Sequence, residues 1–454
     1  MADSYDLIVI GSGAAGQTVA GACVEAGWSV AVVDDRPFGG TCAQRGCDPK
    51  KVLVHATHVL DQAEQRHGTG LAGDLHVDWP ALMDFKETFT EPVPEQIGGW
   101  FDTAGIDALR GTARFSGPHA LTVESDGETE TYGFEQCVVA CGAKPTPLPI
   151  PGAEHLHHSD DLLAWDTLPA RIVFVGGGYI SSEFAHLVAR AGADTVHVLQ
   201  RGPRILEGFD ADLVSTLTEA TRALGINVHT GHDVSCIEKH GDEFCVTAQS
   251  GGQEVRFWAD AVVHGAGRVP PLDALNLEAA EVERDGKALS LNEYLQSTSN
   301  PSVYACGDAA AVSKALTPTA TMEGQAVAHN LLNGNEKTLD LEAVPTVAFT
   351  SPRIARVGHT PESADAAGIE YDVHQSDASS WYTARMQGSK YAHYKILVDP
   401  TTDQVLGAHL LYPHAEDLIN TFALAIRHGL PASELADFPY AYPTSHWDTR
   451  YMFG

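Results

Sequence analysis

Three features of this sequence predict an α/β fold with two dinucleotide-binding units and a separate C-terminal α+β module. A short apolar strand, a glycine-rich turn and a helix occur together near the N-terminus, and the same series recurs from Arg171. After Asn333-Gly334-Asn335 the pattern changes to alternating strands without a glycine turn. With 454 residues and 44% hydrophobic content the chain is globular, and its length suits about two to four domains.

The first unit opens on the apolar strand Tyr5-Asp6-Leu7-Ile8-Val9-Ile10. Gly11-Ser12-Gly13-Ala14-Ala15-Gly16 follows, then a small-residue helix to about Ala26 and a second strand over 30–33 that ends at Asp34. Glycines in such a turn let the amides of a helix N-terminus approach a pyrophosphate, and the acid at the next strand end accepts ribose hydroxyls. Gly11, Gly13, Ala14, Ala15, Gly16 and Asp34 are therefore candidate cofactor residues.

Gly39-Gly40-Thr41-Cys42-Ala43-Gln44-Arg45-Gly46-Cys47-Asp48-Pro49-Lys50-Lys51 comes next. Local chemistry leaves three readings of its cysteines open: metal ligands, core cysteines or a redox disulfide. A regular helix holds positions five apart too far from each other for a disulfide. Gly46 and Pro49 predict a distorted first helical turn, where bridging becomes feasible. A helix start and two lysines also favour a thiolate at Cys47. A metal site would need two more clustered ligands. His55 and His58 follow on a helical stretch and read as surface groups, so the balance leans to redox and no metal site is assigned.

A helix to about Gln65 is followed by hairpin strands at 111–115 and 120–123 around Gly117-Pro118. A buried strand from Cys137 runs into Cys141-Gly142-Ala143; Cys137 and Cys141 lie too far apart on an extended strand to bridge and read as packing residues. Prolines 145, 147, 149 and 151 mark a stiff connector. The second unit has a strand over 171–175, the turn Gly176-Gly177-Gly178-Tyr179-Ile180-Ser181, a helix with Glu183, and a strand over 195–199. That strand ends at Gln200 with Arg201 and Arg204 nearby, where an acid would suit an NADH ribose. Arginines suit a 2′-phosphate, so NADPH is favoured, with NADH as the alternative because Glu207 is close. Further strands are expected over 236–246 and 254–263, reaching Gly265-Ala266-Gly267-Arg268; Cys236 and Cys245 read as packing residues. A buried strand ends at Gly307-Asp308 ahead of a helix over 319–332, and Asp308 is a candidate ligand for a cofactor's sugar-like chain. The C-terminal module is expected to have strands over 344–349, 390–398 and 405–411 and a helix over 415–428. The tail from Tyr440 to Trp447 reads by itself as packed chain.

Acidic residues number 60 against 28 basic, a net charge of −32. This disfavours nucleic-acid or anionic-membrane binding as the main role. It fits a solvated acidic surface or adaptation to a salty, halophilic cytoplasm, where screening removes self-repulsion. Met1-Ala2-Asp3-Ser4 enters the first strand without a basic region, and no apolar run has the length of a membrane span. Cytoplasmic placement is the expectation, and disulfides there are mostly catalytic.

Two dinucleotide units with a cysteine pair just after the first resemble the class I pyridine nucleotide–disulfide oxidoreductases, of the glutathione reductase, dihydrolipoamide dehydrogenase and mercuric reductase type. Gly39 through Lys51 matches that family's Gly-Gly-Thr-Cys-x4-Cys-x-Pro signature, Gly176 through Glu183 its nicotinamide-nucleotide turn, and Gly307-Asp308 its second flavin motif. The resemblance implies two Rossmann-like domains, for FAD and NAD(P), and a C-terminal α+β dimerisation domain. The implied boundaries are 1–150 and 268–338 for the FAD domain, 151–267 for the NAD(P) domain and 339–454 for the dimerisation domain. FAD-side residues would further include Gly40, Thr41, Lys51, Ala113 and Gly142, and the nucleotide side Gly176, Gly178, Tyr179, Ile180, Glu183, Arg201, Arg204 and Gly267. Cys47 would face the flavin as a thiolate and Cys42 would attack substrate. Lys50 or Lys51 would pair with Glu183 near the flavin, and Tyr179 would gate nicotinamide access.

The tail departs from the family. Disulfide reductases end with His-Pro-Thr-x-x-Glu, whose histidine, from the partner subunit, serves the attacking thiol. Here the stretch is Tyr442-Pro443-Thr444-Ser445-His446-Trp447. Tyrosine is a poor base at neutral pH but a good hydrogen-bond donor, and His446 is a displaced substitute. The expected activity is NAD(P)H-dependent reduction of a small thiol disulfide by a homodimer, glutamylcysteine disulfide in a halophile being one candidate. A mercuric or other metal-ion reductase ranks second, since mercuric reductases carry tyrosine here, although this chain ends Arg450-Tyr451-Met452-Phe453-Gly454 without their C-terminal cysteines. Dihydrolipoamide dehydrogenase and NAD(P)H oxidase or diaphorase activities are further alternatives.

Overall fold

The computed structural model describes residues 4–454. They form two compact units, one from residues up to Lys51 with Asp84–Thr146 and Arg268–Leu341, the other from Val52–Met83, Pro147–Gly267 and Glu342–Gly454.

The first unit is built on β1 (Ser4–Ile10), α1 (Ala14–Glu25) and β2 (Val30–Asp34). Leu7, Ile8 and Val9 are completely buried, as are Ala31, Val32 and Val33. Continuous apolar sequence of this kind belongs to parallel strands covered on both faces. β1 sits between β2 and the Glu128–Val139 strand, parallel to both, and Ile106–Arg110 extends the sheet beyond β2. Val303–Ala305 also pairs in parallel with Glu128–Val139, bringing Gly307 and Asp308 to the same sheet end as the first glycine turn. The expected hairpin is present as Thr112–Gly117 against Ala120–Ser125.

In the second unit, Arg171–Val175 lies between Thr195–Gln200 and Ala261–His264, and Asn227–Thr230 flanks Thr195–Gln200, all in parallel. The strand expected over 236–246 is two strands, Asp233–His240 and Glu243–Ser250, folded back antiparallel. Gly241, at φ 64°, makes the turn, and Gly241-Asp242 within the polar run from Glu238 to Glu243 is the sequence signal for it. The strand expected over 254–263 also divides, at Asp260, whose carboxylate accepts the Arg171 amide at 2.9 Å. Residues 346–411 supply a five-stranded antiparallel sheet, covered by the Ala415–His428 helix with Leu418, Ile419 and Phe422 fully buried. Two of its strands, Ile354–Gly358 and the exposed, polar Asp372–Asp377, are absent from the sequence expectation.

Candidate active site

The cysteine segment is two helices, α2 (Gly40–Arg45) and α3 (Cys47–Gln65). Gly46 breaks them apart with φ −137° and ψ −115°. Its α-hydrogen faces the Thr41 carbonyl, where a Cβ would come within 2.8 Å. The break releases Cys42 and Cys47 from ideal helix geometry and makes Cys47 the first residue of α3. Thr317, from the first turn of the Thr317–Asn333 helix, donates to Cys42 Sγ at 3.0 Å and lies 4.0 Å from Cys47 Sγ. A hydrogen bond from Cys42 holds the Cys47 thiol down at about 6 against the penalty of burial, with help from the charges of Lys50 and Lys51. Cys42 moves the opposite way, raised by the hydrogen bond it gives and by burial. The two thiols are driven apart, Cys47 towards the thiolate and Cys42 towards the protonated form.

Asp48 is a site residue that the sequence reading passed over. Its Oδ1 lies 3.9 Å from Cys42 Sγ, within reach of a sulfur donor, and its side chain is exposed. It stood in the sequence as an ordinary first-turn acid, and only the break at Gly46 turns it towards Cys42.

Around the first glycine turn the backbone is closely fitted. A Cβ on Gly11 would lie 2.3 Å from the Ala140 carbonyl oxygen, and one on Gly16 would lie 2.1 Å from that of Gly11. Gly40 approaches so near Gly13 that a Cβ would meet its Cα at 2.4 Å. Asp34 Oδ2 accepts from the Ser12 amide at 2.8 Å and its hydroxyl at 2.6 Å, and Ser12 Oγ accepts from the Gly39 amide at 3.0 Å. The turn, the acid and the start of α2 are thus one network, shaped to admit a pyrophosphate at the start of α1 with Asp34 beside it. Asp308 is half-buried, and burial raises its carboxyl against the pull of Arg268. The Ala113 side chain packs in the core, so the main chain is what it offers a cofactor. Gly142 is left-handed at φ 67°, just past the Glu128–Val139 strand. Cys137 is fully buried, whereas Cys141 is half-buried, and burial pushes the Cys141 thiol up to about 12.

The second turn repeats the plan with a neutral side chain. Gln200 Oε1 accepts from the Gly177 amide at 2.9 Å, the task Asp34 performs for Ser12. Gln200 Nε2 donates to Glu207 Oε1 at 3.0 Å, and Arg204 Nη2 donates to the Glu207 carbonyl at 3.0 Å. Arg201 is exposed and Arg204 half-buried. Ser181 fits at the third glycine position because it faces Gly265, where a Cβ would lie 1.9 Å from its hydroxyl. Ile180 is half-buried, Gly267 exposed, and the Tyr179 ring stands edge-on to Phe209 at 5.6 Å. Glu183 is buried and accepts from the Phe349 amide at 2.8 Å. His58 corrects the surface expectation: it is half-buried, and burial with the Arg353 charge lowers it to about 4. His55 is exposed.

The tail is anchored yet open. Asp448 is buried and accepts from Tyr412 Oη at 2.7 Å. Tyr442, 68% exposed, packs edge-on against Trp447 at 5.0 Å, on the rim of a cavity of about 690 Å³. Trp447 also carries the Arg450 guanidinium at 4.6 Å, and His446 is half-buried beside it.

Residues 5–324 match the pyridine nucleotide-disulphide oxidoreductase profile and residues 344–450 the dimerisation domain of that family. The chain belongs to this family. Its members are FAD-dependent NAD(P)H disulfide oxidoreductases, so the chain is an enzyme that binds FAD and a pyridine nucleotide. It is 30% identical to dihydrolipoyl dehydrogenase of Haloferax volcanii, covering 98% of this chain and 94% of that one. Identity is 31% with mercuric reductase of Staphylococcus aureus, over 95% and 79%, and 32% with glutathione reductase of Burkholderia cepacia, over 93% and 92%. Among solved structures, a Cu(II) complex of the HOCl-induced flavoprotein disulfide reductase RclA from Escherichia coli matches with TM-score 0.89 and 26% identity, over 99% of each chain. Among the described residues no helix is long and apolar enough to cross a membrane.

Proposed function

We propose that the enzyme is a cytoplasmic homodimer that uses NADPH to reduce a small thiol disulfide through Cys42 and Cys47. The observation that carries this reading is the gathering of both sulfurs about Thr317 at the Gly46 helix break, 3.0 Å from Cys42 Sγ and 4.0 Å from Cys47 Sγ. Bound FAD supplies the relay that passes two electrons from the nicotinamide to the cysteine pair. Cys42 attacks the substrate disulfide, forming a mixed disulfide and releasing one thiol; Cys47 then displaces the second thiol and closes the Cys42–Cys47 bond. Lys50 and Lys51 stabilise the thiolate, and Thr317 positions Cys42. Tyr179 gates the nucleotide, and Tyr442 donates a hydrogen bond to the substrate.

With Tyr442 and Trp447 in place of the family's histidine and glutamate, the proton of Cys42 passes to Asp48, which returns it to the leaving thiolate. Replacing Asp48 by Asn is expected to lower kcat/KM for the disulfide about 10- to 100-fold. NADPH-driven dye reduction should stay unchanged and Asp48→Glu should recover part of the loss. An unaltered kcat/KM for the disulfide would remove Asp48 from this role.

Arg201 and Arg204 support NADPH as the donor. The expected preference in kcat/KM over NADH is about tenfold, lost in Arg201→Ala through KM; kinetics favouring NADH in the wild type would overturn it. A second reading is reduction of a soft metal ion, favoured by Tyr442, the mercuric reductase relative and the Cu(II)-bound neighbour. Anaerobic assay with a panel of disulfides, Hg(II) and Cu(II) decides between them: the first reading requires a disulfide to be turned over faster than either ion.

A further inference from the structure

We propose that Glu323 is the positioning residue that fixes the second flavin motif and the cysteine pair relative to each other. Glu323 is a carboxylate with 0% of its surface exposed. Acids are almost never buried to this degree unless their partners repay the loss of water. It lies on the Thr317–Asn333 helix, the helix whose first turn supplies Thr317 to Cys42 Sγ at 3.0 Å.

The partners of Glu323 are two points of the loop that leads into this helix. Oε2 accepts from the Gly307 amide at 2.6 Å, and Oε1 accepts from the Ser313 hydroxyl at 2.5 Å. Both partners donate, so the site calls for two acceptor oxygens, which a carboxylate supplies. Gly307 directly precedes Asp308 and is left-handed at φ 68°. Ala311, at φ 55°, is left-handed as well. A residue with a Cβ holds that conformation only where its surroundings fix it. The loop is closed a second time by Thr319 Oγ1, which donates to the Lys314 carbonyl at 2.6 Å, and it ends at Thr317. Gly324, the next residue along the helix, faces α1: a Cβ there would lie 2.8 Å from the Ala15 carbonyl oxygen. The helix therefore presses on the segment that follows the first glycine turn, with Glu323 bound to the loop beside it. Burial raises the Glu323 carboxyl, the hydrogen bonds from Ser313 and Gly307 oppose this, and the Asp308 charge adds to the rise. One carboxylate thus joins the turn at Asp308, the loop after it and the helix that holds Cys42.

The inference rests on the reading of Asp308 as a ligand of the flavin's sugar-like chain, and the test keeps the two apart. FAD released on serial dilution of the holoenzyme is followed by its fluorescence in wild type, Glu323→Ala, Glu323→Gln and Asp308→Ala. Glu323→Ala is expected to weaken FAD binding about tenfold or more, because the Gly307 amide loses its acceptor. Glu323→Gln, which keeps one acceptor oxygen, should recover most of the loss. In reduced Glu323→Ala the alkylation midpoint of Cys47 should also rise, because Thr317, whose hydrogen bond favours the thiolate, is no longer fixed. A side chain that only fills space would leave that midpoint where it is. Thermal melts check folding; if Glu323→Ala does not fold, Ser313→Ala, which removes only the loop contact, carries the same expectation for Cys47. FAD binding or a Cys47 midpoint unmoved by Glu323→Ala, with Asp308→Ala still weakening FAD binding, overturns this inference alone. Indifference of FAD binding to Asp308→Ala overturns the reading of Asp308 and this inference with it.

Discussion

Cys42→Ser is expected to reduce disulfide turnover by about 10³-fold or more while NADPH-dependent dye reduction continues at the wild-type rate. The serine hydroxyl keeps the hydrogen bond with Thr317, which is 3.0 Å from Cys42 Sγ in the wild type. It cannot form a mixed disulfide, so substrate has no covalent partner. Cys47 alone does not rescue the activity, because displacement of the second thiol requires both sulfurs. Steady-state assays with a disulfide and with a dye, on the same preparation, read the two activities separately. Disulfide turnover that persists in the variant would sink the relay.

The second large effect concerns pH. Cys47 is held down at about 6, first by the hydrogen bond from Cys42 and next, among the charges, by Lys50. Its thiolate is therefore fully formed above neutral pH and is lost as pH falls through about 6. In the reduced enzyme, alkylation of Cys47 by iodoacetamide, followed by peptide mass spectrometry, should rise with pH to a midpoint near that value. Lys50→Met removes a nearby positive charge and should move the midpoint up by about one unit, cutting thiolate near pH 6 several-fold. Cys42, pushed up by its hydrogen bond with Cys47 and by burial, should be alkylated only at higher pH than Cys47. An ordinary midpoint for Cys47 in the wild type, or no movement in Lys50→Met, would show that this electrostatic account is wrong.

Much of this architecture is legible from local pattern. β1, α1, β2 and the Ala415–His428 helix fall where runs of apolar residues and the glycines and acids around them predict. The Asp233–His240 and Glu243–Ser250 strands are divided by Gly241-Asp242 inside the polar run from Glu238 to Glu243, a turn signal that the single expected strand ignored, and Asp372–Asp377 was missed because an exposed edge strand carries no apolar face. At the site, the cysteine signature was plain, but Asp48 became visible only through the helix break at Gly46. Gln200 shows a further limit: its neutral side chain was weighed against a ribose, whereas its structural task is to hold the Gly177 amide.

Anaerobic reductive titration of the holoenzyme tests the central claim most directly. If Cys42 and Cys47 form a working redox disulfide, the oxidised enzyme takes up about four electron equivalents per chain, two for the flavin and two for the disulfide. The Cys42→Ser variant then takes up about two. Equal uptake of about two in both proteins would contradict the account, since electrons would stop at the flavin and the cysteine pair would have no part in turnover.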